Sequence, residues 1–215
     1  MSRRCTCWCL LILTGLSLLA CKNPSSNTEV RESASLTSLF DSQHDDLISI
    51  DITQSVVKWK GTKLLGTGSH EGTVKFKSGE LHFSENQLAG GKFTVDMKSI
   101  YNTDIPLSDP VPRRNITTHL NSDFETEQFP TASFAITQVS KMPNSQFQIT
   151  GELNIKGVTN AIMIMATEEK HRKNYTSSIT FNRHDWKIGE SGSWLEQKVV
   201  DDEVTIEVNL ILSKN

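Results

Sequence analysis

The chain has 215 residues, four cysteines and a formal net charge of −3. That balance disfavours nucleic acid as a partner and adsorption to anionic lipid by charge alone, because both need a basic patch. Cys5, Cys7, Cys9 and Cys21 all lie near the N-terminus, so beyond Cys21 there is no thiol for a disulfide, a zinc site or a nucleophile.

Residues 1–20 read as a lipoprotein signal peptide. Arg3 and Arg4 give the positive start, Leu10 to Leu19 a short apolar run, and Leu18-Leu19-Ala20-Cys21 the cleavage site. The apolar run is too short to cross about 30 Å of hydrocarbon as a helix. Cys21 is the expected lipidation residue, and Lys22 in place of an Asp favours the outer membrane, with the domain facing the periplasm. Residues 21–50 read as a lipid-anchored flexible tether, polar and rich in Ser, Asn and Thr, with at most one helical turn over Leu36 to Phe40.

Residues 51–215 read as one all-β domain, because polar and apolar residues alternate from Val56 almost to the end. Val57, Trp59 and Gly61 form the first such set, and Val204, Ile206, Val208 and Leu210 the last. Ala161 to Ala166 is apolar on both faces, which predicts a more deeply buried strand. Turn signals fall at Gly66-Thr67-Gly68, Lys77-Ser78-Gly79, Ala89-Gly90-Gly91, Met142-Pro143-Asn144 and Lys156-Gly157. Short links favour antiparallel pairing, and eight or more such strands make a barrel or a sandwich.

One insert, Tyr101 to Pro130, breaks the alternation with Pro106, Pro110 and Pro112. Leu120 and Phe124 are four apart and share a helical face, and Ser122 with Glu125 has the spacing of a capping box for a short helix. A segment of this length in a compact β-domain covers a core or carries function, so it is expected across one mouth of the barrel.

Six segments in order resemble one family. They are Ser55 to Gly61; Gly68 to Val74 with Lys77-Ser78-Gly79; Gly90 to Ile100 with Asp104; His119 to Phe124 with Phe129 to Phe134; Gly151 to Thr159; and Phe181 to Ile188. Together they are similar to the YceI family of polyisoprenoid-binding, lipocalin-like bacterial proteins. The resemblance implies an extended eight-stranded antiparallel barrel with a short helical insert at one mouth. It also implies a tunnel for an apolar lipid, an isoprenoid such as a quinone or polyprenyl carrier.

An uncharged tail needs a dry apolar channel rather than a polar constellation. The candidate tunnel lining is Trp59, Phe76, Phe83, Phe93, Val95, Phe134, Ile149, Leu153 and Phe181, with Leu120 and Phe124 as a lid. The same residues suit a filled core, since a small eight-stranded barrel can be packed by its own side chains. His70 and His119 are candidate head-group contacts, with a structural hydrogen bond as the plainer reading of each. The histidines are scattered without H-x-H or H-E-x-x-H spacing, and there is no G-x-S-x-G or P-loop, so no enzyme, metal or cofactor other than the lipid is expected. The reading is a membrane-tethered carrier; its alternative is a structural or interaction lipoprotein whose barrel is filled and binds no lipid.

Overall fold

The computed structural model describes residues 45–63, 68–169, 174–190 and 200–213. The expected signal peptide, Cys21, the expected tether up to residue 44, the expected turn at Gly66-Thr67, and His44 and His171 lie outside the described residues.

Nine strand segments form one antiparallel barrel. In chain order they are β1 (Asp45–Ser49), β2 (Val56–Lys63), β3 (Ser69–Ser84), β4 (Gln87–Asn102), β5 (Thr131–Met142), β6 (Gln146–Ile155), β7 (Val158–Glu169), β8 (Asn174–Asn182) and β9 (Val200–Ile211). β1 pairs with the C-terminal half of β3 and β2 with its N-terminal half, so the two segments act as one interrupted barrel strand. Each further strand pairs with its successor, and β9 returns to β2. The result is eight strand positions, closed, with no free edge along the wall.

Tight turns keep neighbours in register. Glu85-Asn86 and Lys156-Gly157 link β3 to β4 and β6 to β7 with positive φ at both residues, the geometry that matches strand twist in a two-residue hairpin. β3 and β4 are 16 residues each, about 50 Å at 3.3 Å per residue. Register shifts near Thr73, Phe76 and His82 bend this long ribbon around the barrel.

The interior holds two packed clusters. One contains Ile50, Leu81, Leu88, Phe147, Tyr175 and Leu212. The other contains Val74, Met97, Ile155, Phe181, Trp186 and Ile188, with Leu120 and Phe124 of the insert packed against it. Val57 and Val95 touch both.

The structure departs from the sequence reading in four places. The barrel begins inside the expected tether: β1 spans Asp45–Ser49, and Ile50, only 4% exposed, belongs to the core. Gly79 and Gly90-Gly91 are mid-strand rather than turns. Gly79 is there for close approach, because a Cβ would meet Ile50 and Phe93 carbons at 2.7 Å. The Ala161–Ala166 strand is not buried on both faces. Ile162, Ile164 and Ala166 point inward, while Met163 and Met165 are exposed outside the wall. Lastly, the helix of the insert, α1, runs Pro110–Asp123. Pro110 and Pro112 sit in its first turn, where a missing N–H costs nothing, so the prolines start the helix instead of preceding it. Ser122 therefore lies at its C-terminal end, where its carbonyl accepts from the Glu125 amide at 3.1 Å, and no capping box forms with Glu125.

Candidate functional site: an apolar cavity beneath the insert

The alternation of β2 to β9 sends one face of every strand inward, and those faces do not meet everywhere. A cavity of about 240 Å³ remains between them. It runs from Phe124, Ile188 and Phe181 at the insert end to Leu81, Leu88 and Leu210 in the other cluster. An apolar cavity of about 150 Å³ stays dry and takes up benzene, so this one is large enough to hold hydrocarbon. It lies below the roughly 300–1,000 Å³ of a drug-sized pocket, which favours a slender chain over a bulky ring system.

Trp59, Phe76, Phe93, Val95, Leu120, Phe124, Phe134, Ile149, Leu153 and Phe181 all line the cavity. Phe83 does not. It is partly buried against the first cluster, two residues from the Glu85-Asn86 turn and just past a register shift at His82. Tyr175, Met97 and Ile188 also contribute to the wall. Met97 follows Val95 by two on one strand face, and Tyr175 shares the inward face of β8 with Ile179 and Phe181, so the alternation contains both; Ile188 lies after β8, where no strand period reaches it.

Small residues leave the room. Val95 on β4 pairs with Ala132 on β5, both in the wall. The Phe134 ring lies against Gly151, where a Cβ would collide with it. At the insert end the wall is fixed by the 3₁₀ turn Arg183–Trp186. Trp186 is 2% exposed, donates from Nε1 to the Leu153 carbonyl at 3.0 Å and packs edge-on to Phe181 at 4.9 Å. The buried Arg183 donates to the Ile188 carbonyl at 3.1 Å and the Asp201 carbonyl at 3.2 Å. His184 pairs with Asp202 at 2.9 Å, so this polar cluster holds the strand ends together.

His70 and His119 are both outside the cavity wall. His70 Nδ1 lies 2.9 Å from Asp104 Oδ2, and Asp104 Oδ1 accepts from the Glu71 amide and from the Asn102 side chain. Burial pushes the Asp104 carboxyl up, but the hydrogen bonds from His70, Glu71 and Asn102 outweigh it and hold it below its ordinary value. Asn102 is fully buried and accepts from the Ile105 amide at 3.1 Å. This network sets the direction in which the insert leaves β4. His119 pairs with Asp123 at 3.3 Å, one helical turn on. Asp123, the helical neighbour of His119 in the sequence, is the one carboxylate in the cavity wall among the described residues. A second polar group is Trp59 Nε1, which is buried with no hydrogen-bond partner among the described residues. No group of three metal-ligating side chains occurs among the described residues.

A closed antiparallel barrel around a dry channel, with a helical insert at one end, defines a lipocalin-like binding barrel for apolar ligands. Residues 49–212 match the YceI-like domain family, and the chain belongs to it. No curated protein matches the sequence. Among solved structures it is similar to BcnA of Burkholderia cenocepacia, at 21% identity and TM-score 0.63, over 76% of this chain and 99% of that one. It is also similar to a YceI protein of Campylobacter jejuni, at 21% identity and TM-score 0.43, over 60% of this chain and 75% of that one.

Proposed function

We propose that the protein is a carrier for an isoprenoid or a similarly slender apolar lipid, such as a quinone or polyprenyl chain, tethered through Cys21 in the bacterial envelope. The observation that carries the reading is the cavity, walled almost wholly by hydrocarbon inside a barrel of this family. Each methylene moved from water into it contributes about 0.8 kcal/mol, so the part of a tail that it encloses is held without any hydrogen bond. Trp59 and the channel aromatics form the wall, and Leu120 and Phe124 close it from the insert. His70 and His119 act through Asp104 and Asp123 rather than on the tail. No catalytic step is needed. Lys22 after Cys21, in place of an Asp, supports an anchor in the outer membrane, and on this reading the barrel faces the periplasm.

Mass spectrometry of the organic extract of the purified chain tests the reading, using a host that makes the relevant lipids. An isoprenoid recovered at one per protein supports the carrier. A clean extract from such a host favours a packed barrel that acts through its surface.

A further inference from the structure

We propose that the start of the insert is a membrane-docking tip that sets the cavity mouth against a lipid bilayer; the proposal rests on the carrier reading above. The tip is unusual for a surface. Leu107 is 80% exposed and Val111 57% exposed, four residues apart across the start of α1, with Tyr101 at 42% beside them. Pro106, Pro110 and Pro112 stiffen this stretch, which lowers the entropy lost when it is immobilised. Arg113 holds it in shape: its guanidinium stacks 4.8 Å over the Tyr101 ring and donates to the Tyr101 hydroxyl and the Ile105 carbonyl. The apolar residues are thus presented outward by a braced loop.

The occupant follows from size and charge. Three side chains fall far short of the roughly 800 Å² per partner that a stable protein interface buries. A bilayer accepts single apolar side chains at its headgroup boundary, with basic residues beside them. Residues 105–122 carry Arg113 and the exposed Arg114 against Asp109 alone, in a chain whose net charge is −3. Between Asp104 and Asp123 the stretch carries one positive charge net, with Arg114 exposed, which suits anionic headgroups. Ten residues further along the same helix, Leu120 begins the cavity wall. An element that dips into the bilayer is therefore continuous with the one that covers the channel, and a lipid tail can pass between them without crossing water.

The test uses the full chain with Cys5, Cys7, Cys9 and Cys21 changed to Ser, so that one added cysteine takes an environment-sensitive fluorophore. Label is placed at Leu107→Cys, at Val111→Cys, and at Met163→Cys on the exposed barrel wall. Vesicles are made of phosphatidylethanolamine with phosphatidylglycerol. The expected result is a blue shift at 107 and 111 on adding vesicles, none at 163, and a smaller shift when Arg114→Glu is added. The apolar run at residues 10–19 can tether the chain to vesicles, but a tether does not dry a label at 107, so the readout stays local. Equal emission with and without vesicles at both tip positions overturns the docking. Stoichiometric lipid in the extract together with that result removes the docking and leaves the carrier. A tip shift with a clean extract keeps the docking and removes the carrier.

Discussion

Filling the channel at Val95, which pairs with the small Ala132 in the wall, is the sharpest way to separate cavity from core. Val95→Trp adds seven heavy atoms opposite Ala132. The added ring takes up a substantial part of the 240 Å³ available. Because the ring enters existing space, its stability cost should lie near the low end of the about 1–3 kcal/mol typical of overpacking. A bound chain loses more. Excluding one five-carbon isoprene unit forfeits about 4 kcal/mol at 0.8 kcal/mol per carbon, roughly a thousandfold in affinity. Native mass spectrometry reports the bound lipid per protein, and a thermal melt reports folding. A folded Val95→Trp protein that keeps its full complement of lipid refutes the assignment of Val95 to the ligand path.

Three further outcomes follow from single groups. Burial, and then the nearby Glu168, push the Tyr175 hydroxyl above its ordinary value. The group's contribution is therefore complete below about pH 10 and lost above it, by about 1.4 kcal/mol per pH unit; melts across that range should show the decline, and Tyr175→Phe should flatten it. The Asp104 carboxyl is held low, so its contribution is present above about pH 4 and lost as pH falls through the folded value; Asp104→Asn should weaken the acid limb of the stability profile and leave the neutral-to-alkaline limb unchanged in shape. Trp186→Phe should cost about 1–3 kcal/mol more than Trp59→Phe in urea denaturation, because only Trp186 has an indole hydrogen bond, to the Leu153 carbonyl.

The parts of this fold that were legible in the sequence are those set by local rules. Alternation gave the inward face of nearly every strand, and Lys156-Gly157 marked its hairpin because two left-handed residues in a row leave few alternatives. Gly79 misled for the converse reason. A glycine needed for close packing against Ile50 and Phe93 looks the same in sequence as one that turns the chain. The outward methionines of β7 were misread because two adjacent apolar faces imply a second covering layer, and none of the described elements supplies one. The partnership of His70 with Asp104 spans 34 positions and depends on how the insert leaves β4, which no local pattern encodes. Cavity size was the least legible property. It is the remainder after all the inward side chains have packed, so it responds to small residues such as Ala132 and Gly151 as much as to the aromatics that draw attention.

Among the described residues, the insert with its helix and the turn that carries Ile188 are the sections of the cavity wall that are not barrel strands, and the attachment of the helix predicts how a ligand enters. None of its residues is fully buried. Its C-terminal end is instead pinned by a few polar contacts. Thr126, 2% exposed, bonds Asn121 through both amide and hydroxyl, at 3.0 Å each. Lys156 joins Glu125 at 2.8 Å and the Lys187 carbonyl at 2.7 Å. The Lys156 side chain is only 6% exposed, so Lys156→Ala removes a shielded ion pair and leaves two acceptors without their donor. A loss of about 1–3 kcal/mol confined to this end should speed hydrogen exchange across 110–123 by about tenfold or more, since 1.4 kcal/mol is a factor of ten. Exchange in β6 and β7 should change far less, because their protection comes from the closed sheet. Lipid release should accelerate in parallel with the helix and not with the strands. If Lys156→Ala loosens the helix and release stays at the wild-type rate, the ligand does not leave beneath α1, and the mouth lies at the other end of the barrel.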